Sequence, residues 1–223
     1  MNRWVNPDQE AHWDQRRFYR DARDPAAEAF ARPKIEWLAD ALDVDPMGAS
    51  VLDVGAGTGM FTYWWTQLGA KVVGLELSEN MIRRSACPEL MQIGDAYEIP
   101  FPDDSFDIAF AGNLLHHLEE PDRALREMGR VARQGVAIVE CNRNHPPMAV
   151  FGAVSSVCRG LLSYTRVTTE DVARAAGLDP VASSLHGYVY ENRSPRLVLP
   201  ITRQLERRLR GGAYILVAAR PST

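Results

Sequence analysis

The stretch Val51-Leu-Asp-Val-Gly-Ala-Gly-Thr-Gly-Met-Phe-Thr62 narrows the folds open to this chain more than any other. Residues 50–54 are short, apolar and β-prone, with one acid, Asp53, at their end. Glycines follow at alternate positions, Gly55, Gly57 and Gly59, and residues 60–68 read as a helix. Strand, tight turn and helix in that order present unpaired N–H groups at a helix N-terminus, where a polar or anionic ligand can be held. Glycine permits the positive φ and the close backbone approach that such a turn needs.

The glycine spacing separates two ligand classes. A dinucleotide-binding turn reads G-x-G-x-x-G, its third glycine letting the helix pack closely on the strand. Here the third glycine comes one residue early, and Met60 stands where that pattern puts glycine. Taken alone, the loop also reads as an ordinary βα turn. The residues downstream add to it. Residues 71–75 form a second apolar strand ending at Glu76. An acid roughly twenty residues past the first glycine suits two ribose hydroxyls. Residues 91–93 form a third strand ending at Gly94-Asp95-Ala96, where Asp95 can accept from an adenine amino group. Residues 94–107 lead into a fourth strand, 108–112, and then into Asn113-Leu-Leu-His-His-Leu118.

In order and spacing these four motifs resemble the class I S-adenosylmethionine-dependent methyltransferases, most closely the branch that methylates small molecules and quinone-type acceptors. The resemblance spans about residues 51–140. It implies a Rossmann-like α/β fold: seven strands, mainly parallel, an antiparallel last strand and helices on both faces. Strands alternating with helices at short intervals point to the same mainly parallel sheet. The cofactor implied is S-adenosyl-L-methionine, with S-adenosyl-L-homocysteine as product. Gly55, Ala56, Gly57 and Gly59 would cradle its methionine and ribose parts. Asp53 would support that loop or reach the ammonium. Glu76 would take the ribose hydroxyls, Leu77 would lie against adenine, and Asp95 and Ala96 would hold the adenine edge. Asn113 and Leu114 would face the methionine end. All of these stand at carboxyl ends of strands, where open α/β sheets bind ligands. The chain departs from the family at Val131-Ala-Arg-Gln-Gly135, a shorter connection than the usual Pro-Gly-Gly turn.

A chain of 223 residues, 46% of them hydrophobic, suits one domain with a sizeable core. The expected divisions are an N-terminal helical lid (1–47), a cofactor-binding core (48–140), an insertion serving as substrate cap (141–167) and the rest of the sheet (168–223). A net charge of −4 counts against a general nucleic-acid binder. Cys87, Cys141 and Cys158 lack metal-ligand spacing and read as reduced thiols, so no metal is expected. No apolar run reaches the ~18 residues of a membrane span, and the N-terminal residues do not read as a signal peptide, so the cytoplasm is the expected location.

Outside the motifs, Asp24-Pro25 starts a helix through residue 42. Further helices are expected at 80–84 after a Ser78 cap, at 122–131, and at 168–176 before Gly177. The later strands are expected at 135–140, 181–190 and 213–219. Trp13 and Tyr19, by the resemblance, would line the active site, or else they pin the N-terminal helices to the core. Residues 193–210 mix leucines with arginines. That suits an anionic membrane surface or a phosphate-bearing substrate, or else a helix packed on the sheet with its arginines solvated.

Methyl transfer from a sulfonium is an in-line displacement that needs the nucleophile held at roughly 3–3.5 Å with water excluded. A base for a hydroxyl acceptor adds ~10²–10⁴-fold. His116 and His117 are the candidates, since imidazole is the commonest base near neutral pH. His117 is favoured by position, and pocket shaping is the alternative. Glu140 can orient a histidine or bind substrate, and His145 is a further substrate-side candidate. The expected function is methylation of a small-molecule or lipid-linked, hydrophobic acceptor. Oxygen is taken as the accepting atom, although the residues leave nitrogen and carbon open. The alternatives are a cofactor-binding protein without turnover and a nicotinamide-dependent oxidoreductase. The early third glycine and Gly94-Asp95-Ala96 count against the oxidoreductase.

Overall fold

The computed structural model describes residues 19–155, 158–190, 194–201 and 212–222. Trp13 and most of the arginine-rich run, residues 202–211, lie outside the described residues. Seven strands form one sheet: β1 (Ser50–Val54), β2 (Lys71–Glu76), β3 (Met91–Ile93), β4 (Phe106–Gly112), β5 (Ala132–Cys141), β6 (Leu178–His186) and β7 (Tyr214–Pro221). Their order is β3-β2-β1-β4-β5-β7-β6. The first five are mutually parallel, and β7 runs antiparallel to both β5 and β6. The helices are α1 (Pro25–Ala41), α2 (Met60–Gln67), α3 (Glu79–Arg83), α4 (Pro121–Val131), α5 (Pro146–Val154) and α6 (Arg166–Ala175). The Rossmann-like sheet with an antiparallel last strand is therefore the one expected.

Period two along the strands divides the core into two layers. Val51, Ile108, Phe110, Val139 and Leu216 point to the layer under α1 and α2, with Phe30, Leu38 and Trp65. Leu52, Val54, Ala109, Ile138 and Val217 point to the layer with Leu125 and Met128 of α4 and Leu178. Both faces are covered, as a parallel sheet requires.

Several boundaries differ from the sequence expectation, and three of them have a clear local cause. No turn separates α4 from β5: the helix ends at Val131 and the strand begins at Ala132. Arg133 and Gln134 become strand residues whose side chains reach Asp107, and the register shifts between Phe106 and Ile108. α6 starts at Arg166 because Thr165 is its cap. Thr165 accepts from Thr168 N–H while the Thr168 hydroxyl accepts from Thr165 N–H. That reciprocal pair is a capping box, and Thr168 is its third helical residue. β6 ends at His186, where Gly187 takes φ 91 and turns the chain, so Tyr190 lies in the following loop.

Candidate active site

At the carboxyl end of β1 the turn runs through Gly55, Gly57 and Gly59 at φ 68, 58 and 75, a left-handed region that side chains disfavour. Gly55 and Ala56 N–H both donate to the Leu75 carbonyl. Glu76 then ties two βα turns together. Its Oε2 accepts from Gly57 N–H at 2.8 Å and its Oε1 from Ser78 N–H at 2.9 Å. Burial pushes the Glu76 carboxyl up, against the pull of these backbone donors. Asp53 lies behind the loop, 1% exposed, with Oδ2 accepting from the Thr62 hydroxyl of α2 at 2.6 Å. Burial and, more weakly, the Glu76 charge push its pKa up to about 7. Of the two roles read for Asp53, loop support is the one its position suits.

Past β3, Asp95 Oδ1 accepts from Tyr97 N–H at 2.9 Å, and the Tyr97 hydroxyl accepts from Glu119 and Glu120 N–H. Past β4, Asn113 is held at φ 56 by its N–H bond to the Val139 carbonyl at 2.7 Å. Asparagine tolerates this conformation better than most residues.

These turns frame a cavity of about 610 Å³, within the range of small-ligand sites. Gly55, Ala56, Gly57, Glu76, Leu77, Asp95, Ala96, Asn113, Leu114, His116, His117 and Tyr19 all stand in its wall. Gly59, Asp53, Glu140 and His145 do not. Gly59 caps α2. His145 precedes α5 and meets the Tyr190 hydroxyl through Nδ1 at 3.3 Å. Facing the polar turns are Met148 and Phe151 of α5 and Cys158, all within the 141–167 insertion expected as a substrate cap, and Tyr190 and Tyr214, which the sequence did not single out. Met148 and Phe151 stand three apart, which places them on one helix face. That spacing was the available signal.

The two histidines occupy different surroundings. Leu115–His117 is a single 3₁₀ turn, and His116 on it is buried. Its Nδ1 lies 2.6 Å from Glu140 Oε1, and its N–H donates to Glu140 Oε2 at 3.2 Å. Glu140 is fully buried and also accepts from Cys141 N–H at 2.6 Å. Burial alone would push His116 down. The Glu140 charge and the hydrogen bonds the ring donates to Cys158 and Glu140 outweigh it and hold His116 up at about 9. At neutral pH His116 is therefore an imidazolium and has no lone pair to offer as a base. The His117 ring lies tilted at 45° beside it, centroids 3.9 Å apart. The insertion closes over this turn, with Gly160 so near that a Cβ there would fall 2.1 Å from the His116 carbonyl oxygen. Through this contact one side-chain atom each of His116, His117 and Cys158 come within 4.8 Å of one another. Spacing along the sequence did not signal this grouping.

A mainly parallel sheet with its cavity at the carboxyl ends of β1, β2 and β4 defines a class I methyltransferase-type site. Residues 52–139 match the methyltransferase domain family. A demethylmenaquinone methyltransferase of Streptomyces avermitilis is 33% identical over 189 residues, which cover 83% of this chain and 76% of that protein. Another from Mycolicibacterium paratuberculosis is 34% identical over 67% of this chain and 60% of its own length. Among solved structures, an S-adenosylmethionine-dependent methyltransferase of Aquifex aeolicus shares the fold at TM-score 0.61 and 17% identity, over 96% of this chain and 98% of its own. The chain belongs to the class I S-adenosylmethionine-dependent methyltransferases, in their small-molecule, quinone-type branch. Its cofactor is S-adenosylmethionine and it methylates a small molecule; the oxidoreductase and non-catalytic readings are not favoured.

Two outcomes are expected. Glu76→Ala removes a carboxylate that holds Gly57 and faces the cavity. A charge-assisted bond of ~1.5–3 kcal/mol is lost, so S-adenosylhomocysteine affinity, read by calorimetry, falls at least about tenfold with the fold intact. The second concerns pH. His116 has its folded-state pKa raised from 6.5 to about 9. The stability it contributes is whole below about pH 6.5 and is lost as pH climbs through about 9. The Tm of the wild type falls more between about pH 7 and 10 than that of His116→Asn, which starts lower.

Proposed function

We propose that this enzyme methylates a reduced quinone-type ring, a hydroxyl-bearing aromatic acceptor with a hydrophobic or lipid-linked substituent. The observation that carries this reading is the cavity's division into two kinds of wall. Glycine turns and carboxylates form one side, and Met148, Phe151, Tyr190 and Tyr214 form an apolar and aromatic side beside the histidine turn. The demethylmenaquinone methyltransferases that resemble the chain support it.

When bound, S-adenosylmethionine supplies a methyl group on a sulfonium leaving group. The side chains present fit it: Glu76 for the ribose hydroxyls, Asp95 for the adenine amino group, and Leu77 and Leu114 for the adenine and methionine surfaces. The glycine turn admits the cofactor close to backbone N–H groups, and Asp53 keeps that turn on α2 through Thr62. His117 takes the proton of the acceptor hydroxyl, because His116 is already protonated. The His116 imidazolium then stands beside the developing negative charge and stabilises it. Deprotonating a ring hydroxyl loads charge onto both the oxygen and the neighbouring ring carbon, so oxygen shares the accepting role with carbon. α5 lines this end of the cavity through Met148 and Phe151.

Cytoplasmic placement belongs to the same reading. All three cysteines are free, as a reducing compartment would keep them. Among the described residues no helix is long and apolar enough to cross a membrane.

The test is transfer of labelled methyl to reduced naphthoquinol, with product analysis locating the methyl group. His117→Ala is expected to lower turnover by about 10²-fold or more while cofactor affinity changes little. Wild-type turnover in that variant across the pH range would leave His117 a packing role.

A further inference from the structure

We propose that Cys158, His116 and Glu140 form a nucleophilic relay in which Cys158 stands as a thiolate against the His116 imidazolium and captures the oxidised, quinone form of a ring acceptor as a covalent thioether. The choice of electrophile rests on the quinone-type reading above.

The geometry is that of an activated nucleophile: a thiol next to an imidazole, with a carboxylate orienting the imidazole from its other nitrogen. Glu140 occupies His116 Nδ1 at 2.6 Å. Nε2 is the nitrogen left for Cys158, whose side chain hydrogen-bonds the His116 ring. Cys158 stands in the cavity wall, so a ligand in the acceptor end meets it. A thiolate beside an imidazolium forms at far lower pH than a free thiol.

Of the other cysteines, Cys141 also stands in the cavity wall and within 4.8 Å of His116 and Glu140, while Cys87 lies elsewhere. Cys87 is buried against Ser85 and the Gly59 carbonyl, and burial pushes its thiol up. Cys141 directs its sulfur to Asn113 Oδ1 at 3.6 Å. The ionisable groups gathered at the His116 ring are Glu140 and Cys141 of β5, His117 of its own turn and Cys158 of the insertion. Tyr164 feels the Glu140 charge, and burial pushes its hydroxyl up.

The step balances without an added oxidant. A Cys158 Sγ lone pair forms an S–C bond to an unsubstituted ring carbon conjugated with a quinone carbonyl. The C=C π pair moves toward that carbonyl oxygen, which takes a proton from His116. The ring C–H proton leaves to His117 or water while the second carbonyl oxygen takes a proton from water, which restores aromaticity and leaves a hydroquinone thioether. The addition is redox-neutral overall: the two carbonyl carbons are reduced as the ring carbon that takes the sulfur is oxidised, and the sulfur stays at the sulfide level. A reduced ring has no electrophilic carbon and passes untouched. The same pocket thus admits the methyl-accepting oxidation state and traps the other.

The test uses the full chain with limiting naphthoquinone, followed by peptide mass spectrometry. The expected result is a naphthoquinone adduct on Cys158 formed at least about tenfold faster than on Cys87 or Cys141, absent with reduced naphthoquinol, and slowed at least about tenfold in His116→Asn. Equal labelling of the three cysteines, or an unchanged rate in folded His116→Asn, overturns the proposal. Should His116→Asn not fold, the pH profile of iodoacetamide alkylation at Cys158 in the wild type decides. A half-point well below the ordinary thiol value of about 8.5 supports the thiolate, and one at or above it overturns it. The adduct requires no methyl transfer. Adduct formation without methylation of naphthoquinol therefore supports this proposal while removing the proposed acceptor, and the two failures stay distinct.

Discussion

The constraint on which the rest depends is a parallel sheet buried on both faces. Its strands alternate side chains between two apolar layers, so the interior has no room for an uncompensated polar group. Polar recognition is forced to the edge where β1, β2, β3 and β4 release the chain. There the turns present Gly57, Glu76, Asp95 and Asn113 to one cavity. Asp53 obeys the same constraint from inside. It lies on the α2 face of β1, and its carboxylate is tolerated only because Thr62 meets it.

A second acid buried in that interior is Glu140, which accepts from three donors. Desolvating an ion pair costs much of what its attraction returns, while removing one partner of a buried pair costs ~3–5 kcal/mol. Glu140 is therefore hard to account for by stability alone. Its effect is on the site. It fixes the orientation of the His116 ring, keeps it charged and joins the turn after β4 to the end of β5. The two adjacent histidines thereby acquire separate chemistry, one a fixed cation and one a ring in the cavity wall.

Legibility followed the range of the interactions involved. The β1–α2 turn was readable because three glycines at alternate positions answer a local backbone demand. α1 was readable because Asp24 and Pro25 satisfy helix-start rules within three residues. The α4–β5 junction was not, since Val131 and Ala132 change from helix to strand only through pairing of β5 with β4 and β7. The start of α6 was expected at Thr168 and lies at Arg166, because Thr168 is not the first helical residue. It is instead the partner in a box whose cap is Thr165, and residue type alone did not distinguish the two threonines.

Residue type and short-range spacing by themselves pointed to the fold class, the cofactor turn and the polar part of the cavity wall, because each rests on backbone geometry within one βα unit. Only the tertiary structure decided which histidine carries charge, that Asp53 and Gly59 stand behind the wall, and that Cys158 joins the site from more than forty positions down the chain. The physical reason is that charge state and proximity are set by what is packed alongside. Glu140 meets His116 from a neighbouring strand, and the insertion brings Cys158 onto the same ring.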